Sequence, residues 1–474
     1  METGRGERGV VLAIAVVVLG VMMSAIDTTI VILALPDIMR ELGASLVEMI
    51  WVILIYLLIV TVLATQVGRI GDKYGRTRFY NIGFLVFTVG SALCGLSPSG
   101  PALIAFRGVQ ALGGAFISSN SGAVIADYFP PNRRGTAYGY TNIGWNVGAI
   151  LGIILGGVIT TFVDWRFIFF INVPVGIFAA VVGFRYMAER SPRLVKRLDA
   201  VGGGLLGAGL ALALLGLTMG AGYGLRGIPL YSLAAGAAVM GAFALWEVRA
   251  PDPVIRPELF SNRVFTGSVL AALFQALGNY SVLFLAMMYL QGVRGLTPFQ
   301  ASLLVVPGYI AGGLVGPFVG RLSDRIGARL PASLGLTAQA VGIYVYSMIS
   351  MNSPLSLITI ASVISGVGSG AFYPANSSAV MANSPREHYG AASGVLRTFS
   401  NVGMVMSFAV ALFIASAAMP PSVAGAVFLG VATISGRIAM DFVAGLRTSF
   451  LASITLIVIA VAFSIMRGRE RRSS

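Results

Sequence analysis

The chain has 474 residues, 57% of them hydrophobic and only 11% charged, with a formal charge of +14. That leaves too little polar surface to cover a water-soluble globule, so lipid is the expected solvent and a soluble enzyme is excluded. The positive charge fits a membrane protein that retains cationic loops on the cytoplasmic side, and no nucleic-acid partner is expected.

Apolar runs of about 20 residues, each long enough to cross a hydrocarbon core of about 30 Å, must be helices in lipid. The N-terminus carries Glu2, Arg5, Glu7 and Arg8 and then an apolar run too long for a signal peptide, which reads as a retained first helix. Predicted spans are 11–35, 46–67, 79–97, 102–126, 136–160 and 167–187, a first six-helix bundle. Two further spans, 200–220 and 228–247, precede six more at 264–290, 298–320, 330–350, 354–382, 389–416 and 447–466. The fold class is thus all-α, a polytopic membrane protein with fourteen transmembrane helices. Its expected domains are a first bundle over 1–190, an inserted helix pair over 191–262 and a second bundle over 263–474.

With both termini inside, the outer segments hold only Arg40, Arg166, Arg226, Arg294, Arg437 and Arg447 of the 32 basic residues. That bias supports cytoplasmic termini. The stretch 417–446, with Phe428, Leu429, Val431 and Ile434, reads as a long outer loop folded into an amphipathic hairpin.

Comparison of the chain with itself reveals a duplication. Gly114-Ala115-Phe116 and Asn120-Ser121 recur as Gly370-Ala371-Phe372 and Asn376-Ser377, and Asn146-Val147-Gly148 as Asn401-Val402-Gly403. The loop Gly68-Arg69-Ile70-Gly71-Asp72-Lys73-Tyr74-Gly75 recurs as Gly320-Arg321-Leu322-Ser323-Asp324-Arg325-Ile326-Gly327. Two pseudo-symmetric bundles of this kind are expected to hold a substrate between them and expose it alternately to the two sides of the membrane.

Asp27 is a carboxylate inside the first apolar run, where an ion costs several kcal/mol and is seldom kept without a role. Burial opposes its ionised form and a nearby cation favours it, which makes it a candidate proton carrier. Arg107, roughly 9 Å below Pro101 at 1.5 Å per residue, is its natural partner from the fourth span. Ser24 and Thr28, four residues apart, are expected to share the Asp27 face, and Gln110, Asn142 and Asn146 to add polar groups to the same cavity. The duplication maps Arg107 onto Val363 and Asp127 onto Asn383, so the second bundle lacks those charges. There Gln275, Asn279, Tyr373 and Asn376, amid Met287 and Met288, suggest a tolerant, mostly apolar substrate cavity. Gly68, Asp72, Arg76 and Asp324 form the repeated loop motif, read as a conformational latch. Arg397 reads as a snorkelling side chain, Glu48 as a solvated rim charge and His388, the single histidine, as an ordinary inner-loop residue.

Cys94 is the single cysteine, and Lys73 and Lys196 lack the glycine spacing of a phosphate-binding loop. No metal site, cofactor or catalytic cluster can be assembled, and ATP is not the expected energy source.

Several motifs together resemble the fourteen-helix drug:proton antiporter family of the major facilitator superfamily, over nearly the whole chain. They are Asp27-Thr28-Thr29-Ile30-Val31 leading to Ala34-Leu35-Pro36, then Trp51 and Tyr56, the loop Gly68 to Arg78, and Arg107-Gly108-Val109-Gln110-Ala111-Leu112-Gly113-Gly114. The segment Trp165-Arg166-Phe167-Ile168-Phe169-Phe170-Ile171-Asn172-Val173-Pro174-Val175-Gly176 is similar to the W-R-x-x-F-x-I-N-x-P-x-G signature of that family. The resemblance implies proton-coupled multidrug export from the plasma membrane of a prokaryote, with Asp27 as coupling acid and Arg107 as its modulator. It departs in the fifth span, where G-P-x-x-G-G is replaced by Gly152-Ile153-Ile154-Leu155-Gly156-Gly157. Relatives that export divalent cations use further acids in the second half, and the last six predicted spans contain none. Neutral or monovalent cationic lipophilic compounds are therefore the expected cargo, exchanged for a proton by a monomer in membrane lipid. The alternative is a transporter of a specific metabolite or lipid, or a facilitator without protons.

Overall fold

Backbone groups in lipid find partners only within helices or closed barrels, and this chain takes the helical solution. The computed structural model describes residues 2–129, 134–190, 198–251, 253–255, 257–384, 389–420, 423–424 and 436–468. Among them no strand occurs. The helices are α1 Glu2–Leu42, α2 Leu46–Tyr74, α3 Arg76–Gly95, α4 Gly100–Tyr128, α5 Arg134–Phe162, α6 Phe167–Phe170 and α7 Asn172–Tyr186. They continue as α8 Ala200–Tyr223, α9 Ile228–Arg249, α10 Arg263–Met287, α11 Pro298–Ile326, α12 Arg329–Ser347, α13 Ser356–Ala382, α14 Tyr389–Ala417 and α15 Gly436–Met466.

Local chemistry sets several of these starts. Ser99 accepts from the Ala102 amide ahead of Pro101 to begin α4, and the Asn262 side chain accepts from the Val264 and Phe265 amides to begin α10. Thr297 and Gln300 form a reciprocal capping box on α11. Gly75 and Gly327, at matching positions of the repeated loop, both have positive φ, +117° and +89°. Glycine bears that backbone at low cost, so each repeat turns sharply into its next helix.

Among the described residues twelve helical segments are long and apolar enough to cross a membrane. The short α6 and α7 together make one of them, Phe167–Tyr186. Helices α3 and α12, with 20 and 19 residues, are comparable in length but richer in polar side chains, and they fall outside the twelve.

Contacts divide the chain into two compact units, one of Met1–Ala44 with Trp51–Gly204 and one of Ser45–Ile50 with Leu205–Ser474. Inside the first unit α1 packs on α5, and α3 packs on α4 and α7. Inside the second, α13 packs on both α11 and α12, and α10 lies against α14 and α15. Small residues bring these helices into backbone contact. A Cβ on Gly113 would lie 2.2 Å from the Phe87 nitrogen across α3 and α4, and one on Gly342 would lie 2.5 Å from the Ser365 nitrogen across α12 and α13. Most of α8 and all of α9 fall in the second unit.

Three sequence expectations are corrected. Pro36 does not end the first helix but lies within α1, which runs on to Leu42. The last helix starts at Gly436 rather than near 447, so residues 436–446 are its first turns and not an arm of an outer hairpin. Residues 436–446, mostly apolar although they include Arg437 and Asp441, run on into the span that follows, and helix propagation is easier than a new start. Arg467, a basic residue beyond the last predicted span, is 2% exposed because it folds back among α10, α13 and α15. Phe428, Leu429, Val431, Ile434 and His388 lie outside the described residues.

Candidate functional site

The first unit contains a buried charged cluster built by four helices. Asp27 on α1 and Arg107 on α4 are 0% and 1% exposed. Arg107 Nη1 donates to Asp27 Oδ1 at 2.9 Å and to Oδ2 at 2.7 Å. Gln110, one turn along α4, donates through Nε2 to Asp27 Oδ1 at 2.8 Å and accepts from Arg107 Nη1 at 2.6 Å. The same Gln110 amide donates to Ser91 Oγ of α3 at 2.6 Å. Arg107 Nε donates to the Val52 carbonyl of α2 at 3.1 Å, and the guanidinium stacks over the Tyr56 ring with its carbon 4.4 Å from the centroid. A charge taken this far out of water is tolerated only when paired and hydrogen-bonded, and here both conditions hold.

Ser24 and Thr28 turn their hydroxyls back onto their own helix, donating to the Gly20 carbonyl at 3.0 Å and the Ser24 carbonyl at 2.8 Å. Asn146 is exposed on α5, and Asn142 lies on the same helix with a side chain outside the described residues. Ser91 and the Val52 carbonyl had no sequence signal, since a serine in an apolar helix and a backbone oxygen look ordinary until another helix reaches them.

The repeated loop motif sits at the α2–α3 junction. Arg76 donates through Nε to Asp72 Oδ1 and through Nη1 to Asp127 Oδ1 of α4, both at 2.7 Å. Glu189, beyond α7, accepts from the Arg78 amide at 3.1 Å and from the Thr77 amide at 3.4 Å. Gly75 admits that carboxylate, because a Cβ there would lie 2.5 Å from Glu189 Oε2. Burial raises the Asp127 pKa above the ordinary carboxylate value, against the lowering pull of the Arg76 guanidinium. At the equivalent place in the second unit Asn383 donates to the Ala379 carbonyl at 3.0 Å and forms no ion pair. Gly68 has open space around its Cα, and the Asp324 side chain lies outside the described residues.

In the second unit the predicted polar residues separate into two groups. Gln275 is fully buried and donates to Gln339 Oε1 at 3.2 Å, and Gln339 donates to Ser369 Oγ at 2.7 Å. Tyr373, 36% exposed, donates to Tyr280 Oη at 3.4 Å, and Asn279 is half-buried nearby on α10. Asn376 is occupied on both sides, its Nδ2 donating to the Ser268 carbonyl at 3.0 Å and its Oδ1 accepting from Arg467 Nη1 at 3.2 Å. Gln339, Ser369 and Arg467 were missed from sequence, because no spacing rule links them to α10. No cluster of metal-ligating side chains occurs among the described residues.

The sequence profile of the Major Facilitator Superfamily matches residues 17–408. The chain is 30% identical over 403 residues to the Tetracenomycin C resistance and export protein of Streptomyces glaucescens, 84% of this chain and 74% of that protein. It is 29% identical over 398 residues to the Riboflavin transporter RibZ of Clostridioides difficile, 84% of this chain and 86% of that one. Among solved structures, a bacterial homolog of the human lysosomal transporter Spinster matches with a TM-score of 0.67 and 18% identity over 97% of both chains, a likeness of fold.

Proposed function

Because the chain belongs to the major facilitator superfamily, a family of multi-span membrane transporters of small substrates and not of enzymes, we propose that it is a proton-coupled exporter of lipophilic neutral or monovalent cationic compounds. It works by alternating access, with Asp27 taking up and releasing the proton. The observation that carries this reading is the Asp27–Arg107–Gln110 cluster, a carboxylate and a guanidinium closed off from solvent with one shared amide. Protonation of Asp27 removes the negative partner of a buried cation, and an uncompensated buried charge costs about 3–5 kcal/mol. That is enough to shift a conformational equilibrium from one dominant state to another. Exchange of one proton for a monovalent cation is electroneutral, whereas exchange for a neutral molecule moves a charge worth about 2.3 kcal/mol per 100 mV, so a single acid serves either scheme.

The finer architecture belongs to the same proposal. Helices α3 and α12 are the third and eleventh spans, the two needed to complete fourteen, since they are matched members of the repeat and pack through glycines in the same way. The reading is of two six-helix bundles, over 1–190 and 263–474, with α8 and α9 inserted over 191–262. Both termini are cytoplasmic, the protein acts as a monomer in the plasma membrane of a prokaryote, and Gly68, Asp72, Arg76 and Asp324 serve the latch. Gln275, Asn279 and Tyr373 contribute to the substrate cavity with Ser24, Thr28, Gln110, Asn142, Asn146 and Asn376.

The printed name of the relative from Clostridioides difficile supports a second reading in which the cargo is a metabolite. The absence of a proline at Ile153 supports a version without proton coupling. Reconstituted vesicles separate these. Under the exporter reading a lipophilic dye cation is driven by a pH gradient and releases protons as it moves. Equal flux with and without the gradient would sink it.

A further inference from the structure

Gln110 is the member of the charged cluster whose donor and acceptor ends can exchange places. It is 0% exposed, and all four hydrogen-bonding positions of its amide are filled. Nε2 donates to Asp27 Oδ1 at 2.8 Å and to Ser91 Oγ at 2.6 Å, while Oε1 accepts from Arg107 Nη1 at 2.6 Å and from Cys94 Sγ at 3.7 Å. Ser91 and Cys94 stand about one turn apart on α3, and both are fully buried.

The four partners are of two kinds. An arginine only donates and an ionised carboxylate only accepts, so Arg107 and Asp27 together fix which way the amide points. A hydroxyl and a thiol each donate and accept. Ser91 and Cys94 therefore serve either orientation of the amide, and the charged pair makes the choice.

Protonation of Asp27 reverses one of those demands. The described partners of its two oxygens are all donors, Arg107 Nη1 and Gln110 Nε2, so a new O–H meets no acceptor there. The helices around it bring none. Among the described residues α5 presents Gly148 and Gly152 to this stretch of α1, α7 presents Gly176, and α6 presents the Phe169 ring to the guanidinium. The titratable neighbours are Arg107, Cys94 and Tyr56 of α2, whose ring faces the guanidinium and whose hydroxyl lies toward Gly114. Tyr80 of α3 meets α1 two turns away, at Gly20.

A half-turn of the Gln110 amide about its last torsion, which is broad and two-fold in glutamine, supplies the missing acceptor. Oε1 then accepts from the Asp27 and Ser91 hydroxyls, and Nε2 donates to Cys94 Sγ. The same half-turn sets Nε2 against Arg107 Nη1, donor against donor. Loss of charge on Asp27 alone ends the ion pair, and the turn of the amide also withdraws Oε1. Arg107 then keeps only the Val52 carbonyl and the Tyr56 ring, and displacement of its Nη1 from the amide is what relieves the conflict.

We infer that the Gln110 amide is a two-position switch that converts protonation of Asp27 into release of Arg107, with Ser91 and Cys94 as positioning residues that hold it in either position. The inference rests on the reading of Asp27 as proton carrier and adds the step by which the proton is felt at Arg107.

Cys94 is the single cysteine of the chain, so its S–H stretching band, which lies clear of other protein absorption, reports on this site alone. Purified full-length protein in nanodiscs is titrated with pH and followed by difference infrared spectroscopy. The carbonyl band of protonated Asp27 is the one absent from Asp27→Asn. As that band grows in, the S–H stretch should move from its hydrogen-bonded to its unbonded frequency with the same midpoint, and in Gln110→Leu it should sit at the unbonded frequency throughout. In vesicles Ser91→Ala/Cys94→Ala, which removes both two-way partners, should slow export driven by a pH gradient by about tenfold or more. The exchanged pair Ser91→Cys/Cys94→Ser restores a donor and an acceptor at each position and should stay within a few-fold of the native rate. A growing Asp27 carbonyl band with a stationary S–H stretch overturns the inference and leaves the exporter reading standing, and this spectrum decides the matter even where the double alanine variant does not fold. Equal rates for the two double variants also overturn it. Absence of any carbonyl band that Asp27→Asn removes defeats the exporter reading itself and this inference with it.

Discussion

Arg107 meets both carboxylate oxygens of Asp27 through a single nitrogen, Nη1, at 2.9 and 2.7 Å. Its Nε is committed elsewhere, to the Val52 carbonyl, so the guanidinium is anchored to α2 while only one corner carries the ion pair. Loss of charge on Asp27 alone would end the ion pair and leave Nη1 held by Gln110 Oε1, without unmooring the whole side chain.

Asp27→Asn is the direct consequence. The amide keeps the shape and one acceptor but never cycles between charged and neutral, so export driven by a pH gradient should fall to the level of empty vesicles. Fluorescence-detected size exclusion should still show a folded, membrane-extracted protein. Uphill export by this variant would remove Asp27 from the coupling step.

Gln110 joins three groups, and its loss should be graded against that of its anchor. Gln110→Leu removes bonds to Asp27, Arg107 and Ser91 and should slow turnover by about tenfold or more, since hydrogen bonds to charged groups contribute about 1.5–3 kcal/mol. Ser91→Ala removes one neutral acceptor and should cost only a few-fold. Equal damage from the two would show that Gln110 acts through α3 packing alone.

Glycine packing gives a test of the fold that is independent of transport. A Cβ on Gly366 would sit 1.9 Å from the Gly308 carbonyl oxygen, backbone against backbone, whereas one on Gly313 meets nothing within 4 Å. Gly366→Ala should lower the melting temperature in detergent by several degrees, as overpacking costs about 1–3 kcal/mol. Gly313→Ala should leave the melt unchanged or raise it slightly.

Asp127 carries a pH signature. Burial raises its native pKa above the ordinary carboxylate value, with Arg76 pulling the other way. The folded state therefore holds that proton more tightly than the unfolded chain does. The linked stability is complete below the ordinary value of about 3.9 and is lost as pH rises through the native pKa. Asp127→Asn should remove this component, so the difference in melting temperature between variant and native protein should widen in the variant's favour as pH rises from about 4. A difference that stays constant with pH would show that Asp127 binds its proton equally in both states.

Much of this molecule could be read along the chain. Apolar runs separated by short polar loops specify helices in lipid, and an acid such as Asp27 inside one of them announces itself by its cost. The duplication also needed no structure, because Gly75 and Gly327 mark matching turns wherever the helices lie. The sequence by itself determined the helical architecture, the repeat, and the pairing of Asp27 with Arg107 as a candidate.

Tertiary structure decided who stands beside whom. Only packing brings Ser91 and the Val52 carbonyl to the charged cluster, and only packing brings Arg467 to Asn376. Arg467 reads as one more charge in a basic tail, yet the fold of α10, α13 and α15 buries it. The reason is physical. Hydropathy and helix periodicity are set by neighbours along the chain, whereas hydrogen-bond partners and desolvation are set by side chains from distant helices.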